Sequence, residues 1–227
     1  MKRIVLIFGF SLFSFWNCYS QFGIINDSDG FTNIRKESNT SSEIIWKLYD
    51  NELFFFDEEY IANNDWKYIY FFKPVDSLKK MNPNFEIGNQ PFEDNRISSS
   101  GFIHNSRVQP LIDISVKVET KLNENSSSFR NESIELFIER KAFDKTEHNI
   151  GRDKDGWVST IDNKYPYGID GDLPYNEISN IKLKINGLNI TIPKESYSDL
   201  FEPNFKTTEI FHKENAWFII MSNSDGA

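Results

Sequence analysis

The chain has 227 residues, with 34 acidic and 25 basic side chains and a formal charge of −9. Such an anion lacks the clustered Lys and Arg that displace counterions from nucleic acid, and an anionic membrane surface repels it. A single cysteine excludes an internal disulfide framework, so stability must come from an apolar core, for which 21 Phe, 9 Tyr and 5 Trp are available.

In chain order, the first element reads as an export leader. Lys2 and Arg3 form a basic start, and the stretch from Ile4 to Trp16 is apolar but too short to span a bilayer comfortably. Small residues at Cys18 and Ser20 place a cleavage before Gln21, so residues 1–20 are expected to be a signal peptide and the protein to be periplasmic or extracellular. The competing reading makes Cys18 a lipidated first residue, but Phe15, Trp16 and Asn17 are bulky or polar where lipidation needs small side chains. After Trp16 nothing is apolar for long enough to be a transmembrane segment.

Residues 22–111 read as short strands separated by turn clusters. The stretch Asn26-Asp27-Ser28-Asp29-Gly30 alternates acids before a glycine, as a calcium loop does. No Glu follows at the required distance and a strand begins at Phe31, so it reads as a turn, with Asp bonding its own backbone and Gly at positive φ. Strands are predicted at 31–35, 44–48, 52–56, 66–72 and 101–104, then a single 3₁₀ turn at 105–107 and an exit strand from Val108. Pro74, Pro83, Pro91 and the serine triplet break the pattern between 73 and 100, which reads as a long insertion with a short helix at 75–81.

Residues 112–227 read as a second antiparallel β domain, sandwich-like. A long alternating strand is predicted over 113–122 and another over 133–140. The clearest hairpin runs from Ile181 to Ile192 around Asn186-Gly187, a pair that tolerates positive φ at both positions. A short helix is expected at 194–200 and a last strand at 216–221. The chain then enters a turn with no strand beyond it, which reads as truncation at the C-terminus.

Asp29-Gly30-Phe31, Asn33-Ile34-Arg35, Asn39-Thr40-Ser41-Ser42, the tryptophan strand at Asp65-Trp66 and Gly101-Phe102-Ile103 occur in the order typical of a bacterial SH3-like (SH3b) domain. The first half therefore resembles that family over residues 22–111. The resemblance implies a small barrel that binds cell-wall material or a protein partner, with Arg35 bracing the neighbouring loop. Residues 73–100 exceed the family's usual connection. The second half is similar to uncharacterised exported proteins of Bacteroidota type, which carry a Y-G-I-D-G-D-L-P segment and a lysine-rich hairpin. That resemblance implies no activity.

Among chemistry-bearing residues, Trp46, Tyr60, Trp66 and Tyr68 are the candidate ligand-binding set, because aromatic faces in small barrels divide between core and groove. Alternation puts Trp66, Tyr68 and Tyr70 on one face of their strand and Ile69 and Phe71 on the other, without saying which is inside. Asp170 and Asp172 straddle Gly171 beside tyrosines, a possible acidic site for a cation or polyol. His104, His148 and His212 have no metal-type spacing, and no H-E-x-x-H, G-x-S-x-G or phosphate loop occurs. The expectation is an exported non-catalytic binding protein, not an enzyme, with no cofactor or metal and with peptidoglycan or a protein as partner. The alternatives are an inhibitor or immunity-type protein acting through the second domain, and a carboxylate-based hydrolase accessory unit.

Overall fold

The structure is a computed structural model that describes residues 3–6, 20–63, 65–81, 92–93 and 96–223. The chain is all-β and divides into two compact units, one of residues 15–114 and one of 115–227 together with 1–14. Strands are numbered along the chain, from β1 (Arg3–Leu6). Of the expected leader only 3–6 and Ser20 are described; the expected cut before Gln21 falls within β2 (Ser20–Ile25), and Cys18 lies outside the described residues. No described helix is long and apolar enough to cross a membrane.

The N-terminal unit holds β2 (Ser20–Ile25), β3 (Phe31–Arg35), β4 (Ile44–Tyr49), β5 (Phe54–Asn63), β6 (Trp66–Pro74), β7 (Phe92–Glu93), β8 (Arg96–His104) and β9 (Val108–Pro110). They form one curled antiparallel sheet in the order β4-β3-β8-β6-β5-β2-β9, with β7 on β8. Alternation fills its concave side: Ile34, Leu48, Phe54, Phe56, Ile69, Phe71 and Ile103 are buried in one core. Glycine makes room where two strands approach. A Cβ on Gly23 would lie 2.7 Å from the Phe54 ring on the paired strand.

The acidic opening stretch is a turn. Asp27 accepts the Asp29 N–H (3.2 Å) and pairs with Arg107 (2.9 Å), while Gly30 has φ 75° and donates to the Asp27 carbonyl. Arg35 braces the serine-rich loop by donating to the Ser42 carbonyl at 2.6 Å. The helix α1 (Val75–Met81) and the 3₁₀ turn Asn105–Arg107 stand where the sequence predicts them. The insertion does not begin at 73 or end at 100, because β6 continues to Pro74 and β8 starts at Arg96. The serine triplet hides that strand from a propensity reading. Ser98 and Ser100 pair with Phe72 and Tyr70, so β6 supplies the apolar surface that β8 lacks.

The C-terminal unit holds β10 (Glu119–Leu122), β11 (Ser126–Arg130), β12 (Ile134–Ala142), β13 (Ile150–Arg152), β14 (Val158–Ile161), β15 (Asn176–Ile185), β16 (Leu188–Ile190), β17 (Glu209–Lys213) and β18 (Ala216–Ile220). A five-stranded sheet runs β10-β11-β12-β15-β16, β13 pairs with β14, and β17 and β18 form a hairpin with β1 parallel to β18. Ile134, Leu136 and Ile138 of β12 share a core with Ile210, Trp217 and Ile219 of the β17–β18 hairpin, so the two sheets are layers over one interior. The β15–β16 turn has φ 48° at Asn186 and 79° at Gly187, the geometry its sequence predicts.

Two predicted elements are corrected. Residues 113–122 do not form one strand: Leu111–Ile114 is a 3₁₀ turn, Ser115 makes a single bridge to Phe211, and Glu119–Leu122 joins a ladder. Val116 and Val118 nevertheless pack on the core, so their alternation records burial along an extended connector. Residues 194–200 make only a 3₁₀ turn at Lys194–Ser196.

Candidate functional site: an outer aromatic face and a carboxylate–histidine cluster

Burial settles the two faces of β6. Ile69 and Phe71 point inward, and Tyr68, Tyr70 and Phe72 point outward, with Tyr70 47% and Phe72 37% exposed. Register extends that outer side across the sheet. Tyr68 lies opposite Phe102 on β8, Tyr70 opposite Phe55 on β5, and Phe55 opposite Phe22 on β2. The rings touch in two neighbouring groups, Tyr68 to Phe102 at 5.1 Å and to Tyr70 at 5.3 Å, and Phe55 to Phe72 at 6.4 Å and to Phe22 at 4.6 Å. Hydroxyl groups edge the rings, where the Tyr68 hydroxyl donates to Ser100 Oγ at 2.6 Å. The result is a shallow apolar face with polar handles on four neighbouring strands. Aromatic residues that are half-exposed and share one face offer large contact area at small entropic cost.

The predicted binding residues divide. Tyr68 belongs to this face. Trp66 does not, although it shares parity with Tyr68: it is 7% exposed and packs edge-on against His104 at 5.4 Å. Its ring is therefore not part of the exposed aromatic surface. Trp46 is half-buried against the barrel core, and the Lys73 ammonium lies 5.3 Å over its ring. Burial pushes the Lys73 amine below its usual range. The Tyr60 side chain lies outside the described residues. Sequence alone does not single out Phe22, Phe55, Phe72 and Phe102, because the face they share depends on which side of β6 is inside.

Asp170 and Asp172 are exposed on a turn whose Gly171, at φ 93°, packs against the Trp157 indole. Among the described residues neither joins a group of three possible metal ligands. Among the described residues Glu147, His148 and Glu177 form such a group, with donor atoms within 4.8 Å of one another.

Local structure explains that cluster. A register shift after Glu139 brings Lys141 on β12 opposite Glu177 on β15. The Asp144 carboxylate caps the 3₁₀ turn Lys145–Glu147 through Thr146, whose hydroxyl and N–H hold the Asp144 carboxyl below its usual range. That turn delivers Glu147 and His148. Phe143 stacks on the imidazole at 4.6 Å, and His148 Nδ1 meets Asp162 Oδ2 at 2.7 Å. Burial pushes the Asp162 carboxyl up, but hydrogen bonds from the Asn149 N–H and from His148 outweigh it and hold the group below its usual range. The Lys141 ammonium lies 2.6 Å from Glu147 and 3.1 Å from Glu177, and these two carboxylates, Glu147 foremost, hold it above the usual lysine range.

The outer face of the five-stranded sheet forms a depression of about 450 Å³ lined by Lys121, Arg130, Lys182 and Lys184 with Glu119 and Glu135. Lys121 pairs with Glu119, and both Arg130 and Lys184 with Glu135, so its charges are largely compensated internally.

No family model matches the chain, and neither a curated protein nor a solved structure matches it.

Proposed function

We propose that the protein is an exported, non-catalytic binding module whose SH3-like N-terminal unit holds a cell-wall glycan or peptide on its outer aromatic face. The observation that carries this reading is the continuous ring contact from Phe102 through Tyr68 to Tyr70, with Phe72, Phe55 and Phe22 alongside. Flat rings take the apolar faces of sugars or the stem of a peptide, and Ser98 and Ser100 with the Tyr hydroxyls supply hydrogen bonds at the edge. The motif order of the SH3-like family and the curled antiparallel sheet support the same reading. Peptidoglycan is the first partner to test.

Isothermal titration with solubilised peptidoglycan fragments tests the face. Tyr70→Ala removes an exposed ring from its middle and is expected to weaken binding about tenfold or more while the melting temperature moves little. Equal affinity in native protein and variant would remove Tyr70 from the binding surface.

A further inference from the structure

We propose that Glu147, His148 and Glu177 form a binding site for a zinc-type divalent cation in the C-terminal unit, with Lys141 as a built-in competitor for the same carboxylates. The inference is independent of the aromatic face. Its starting point is a buried imidazole nitrogen. The His148 side chain is 9% exposed and that of Glu177 6% exposed. His148 Nε2 makes no hydrogen bond and faces Glu177 Oε1 at 3.5 Å, while Glu177 Oε1 is held by the Lys141 ammonium at 3.1 Å.

The Asp162 contact gives that arrangement its chemistry. A carboxylate that accepts from Nδ1–H fixes the tautomer and orients the ring, as in the carboxylate–histidine pairs behind metal ligands. Nε2 then presents a lone pair to a carboxylate oxygen. The Lys141 ammonium answers that oxygen at 3.1 Å, and the Nε2 lone pair, which has no partner, is left for a metal cation. The 3.5 Å separation suits one, since arms of about 2.1 Å at tetrahedral angles place ligand atoms about 3.4 Å apart. Glu147, whose side chain is 56% exposed, supplies a third donor and leaves a fourth position toward solvent. One imidazole nitrogen with carboxylate oxygens favours zinc over calcium or magnesium, which prefer oxygen alone.

Lys141 is the cation already at hand. It contacts both carboxylates, but its side chain is 42% exposed on a flexible stem and can leave without disturbing the ladder. The ammonium does not meet His148, so it answers the charge of the cluster and not the lone pair.

The test is calorimetric titration of zinc into the full chain carrying Cys18→Ser, which removes the one thiol. Native residues at the cluster should bind one zinc per chain, with a rise in melting temperature. Lys141→Met should tighten binding at least about tenfold, because it removes a like charge beside the metal. His148→Gln and Glu177→Gln should abolish binding, and Glu147→Gln, an exposed change that leaves the interior intact, should weaken it about tenfold. No saturable binding at millimolar zinc would overturn the proposal. So would binding that survives both His148→Gln and Glu177→Gln, preference for calcium, or a Lys141→Met variant that binds no better. A purely structural ion-pair network predicts that last result.

Discussion

Gly168→Ala is expected to destabilise the C-terminal unit by about 2–5 kcal/mol, close to the whole margin of a marginal domain. Two costs act together. Gly168 has φ 96°, a conformation that side chains with a Cβ adopt only at a cost. A Cβ there would also overlap the Phe201 carbonyl and approach Asn223 Cβ at 2.9 Å. Neither neighbour can swing aside easily. Phe201 is fully buried and its N–H donates to the Tyr167 carbonyl at 2.8 Å, while Asn223 is buried and bridges to Pro203. Gly187 supplies the control, since it has φ 79° and a Cβ added there would meet nothing within 4 Å. Gly187→Ala should therefore show the conformational cost alone, about 1 kcal/mol. Thermal denaturation of both variants separates the two effects. A fall of about 10 °C or more is expected for Gly168→Ala and only a few degrees for Gly187→Ala. Equal shifts would remove the clash from the explanation.

Phe54→Ala is expected to cost the N-terminal unit about 3–5 kcal/mol. Phe54 is fully buried, lies 6.2 Å from the Phe56 ring, and fills the space that Gly23 leaves on the neighbouring strand. Truncation leaves a cavity walled by two strands that are held in register by their ladder and cannot collapse freely. The pairing with Gly23 sharpens the test. Gly23→Ala alone should also destabilise, by overpacking against the Phe54 ring. The double variant should lose less than the sum of the two, because the added methyl enters the vacated space. Urea denaturation of the single and double variants measures the coupling. Strict additivity would mean that Gly23 and Phe54 do not share that space.

Local chemistry made much of the fold legible. Asn186-Gly187 names a tight hairpin because both residues accept positive φ, and the turn has that geometry. Asp27 and Gly30 announce the turn before β3 for the same kind of reason. Burial with little pairing misled the reading of 113–122, where Val116 and Val118 alternate as a strand would but, before Glu119, only a single bridge from Ser115 to Phe211 forms. Burial also decides the fate of the aromatic residues. Trp66 and Tyr68 share parity on β6, yet His104 and the strand end cover one and leave the other half-exposed. A period of two assigns faces; it does not say which end of a face is capped.

The carboxylate–histidine cluster was not legible at all. Its members come from β12, a capped 3₁₀ turn, the connection after β14, and β15. Lys141 and Glu177 are cross-strand neighbours only because of the register shift after Glu139. Without it, the opposite partner of Lys141 would change face and the ammonium would not reach the buried carboxylate. Adjacent Glu147 and His148 carry no metal-type spacing to mark them.

The aromatic face of the N-terminal unit is tested most directly by sedimentation with insoluble peptidoglycan. Native protein should be run beside a variant carrying Tyr68→Ser, Tyr70→Ser and Phe72→Ser, with a folded melting transition confirmed for each. Retention of the native protein and its loss in the triple variant is the expected result. Failure of the native protein to sediment, or equal sedimentation of both, would contradict a wall-binding role for this face.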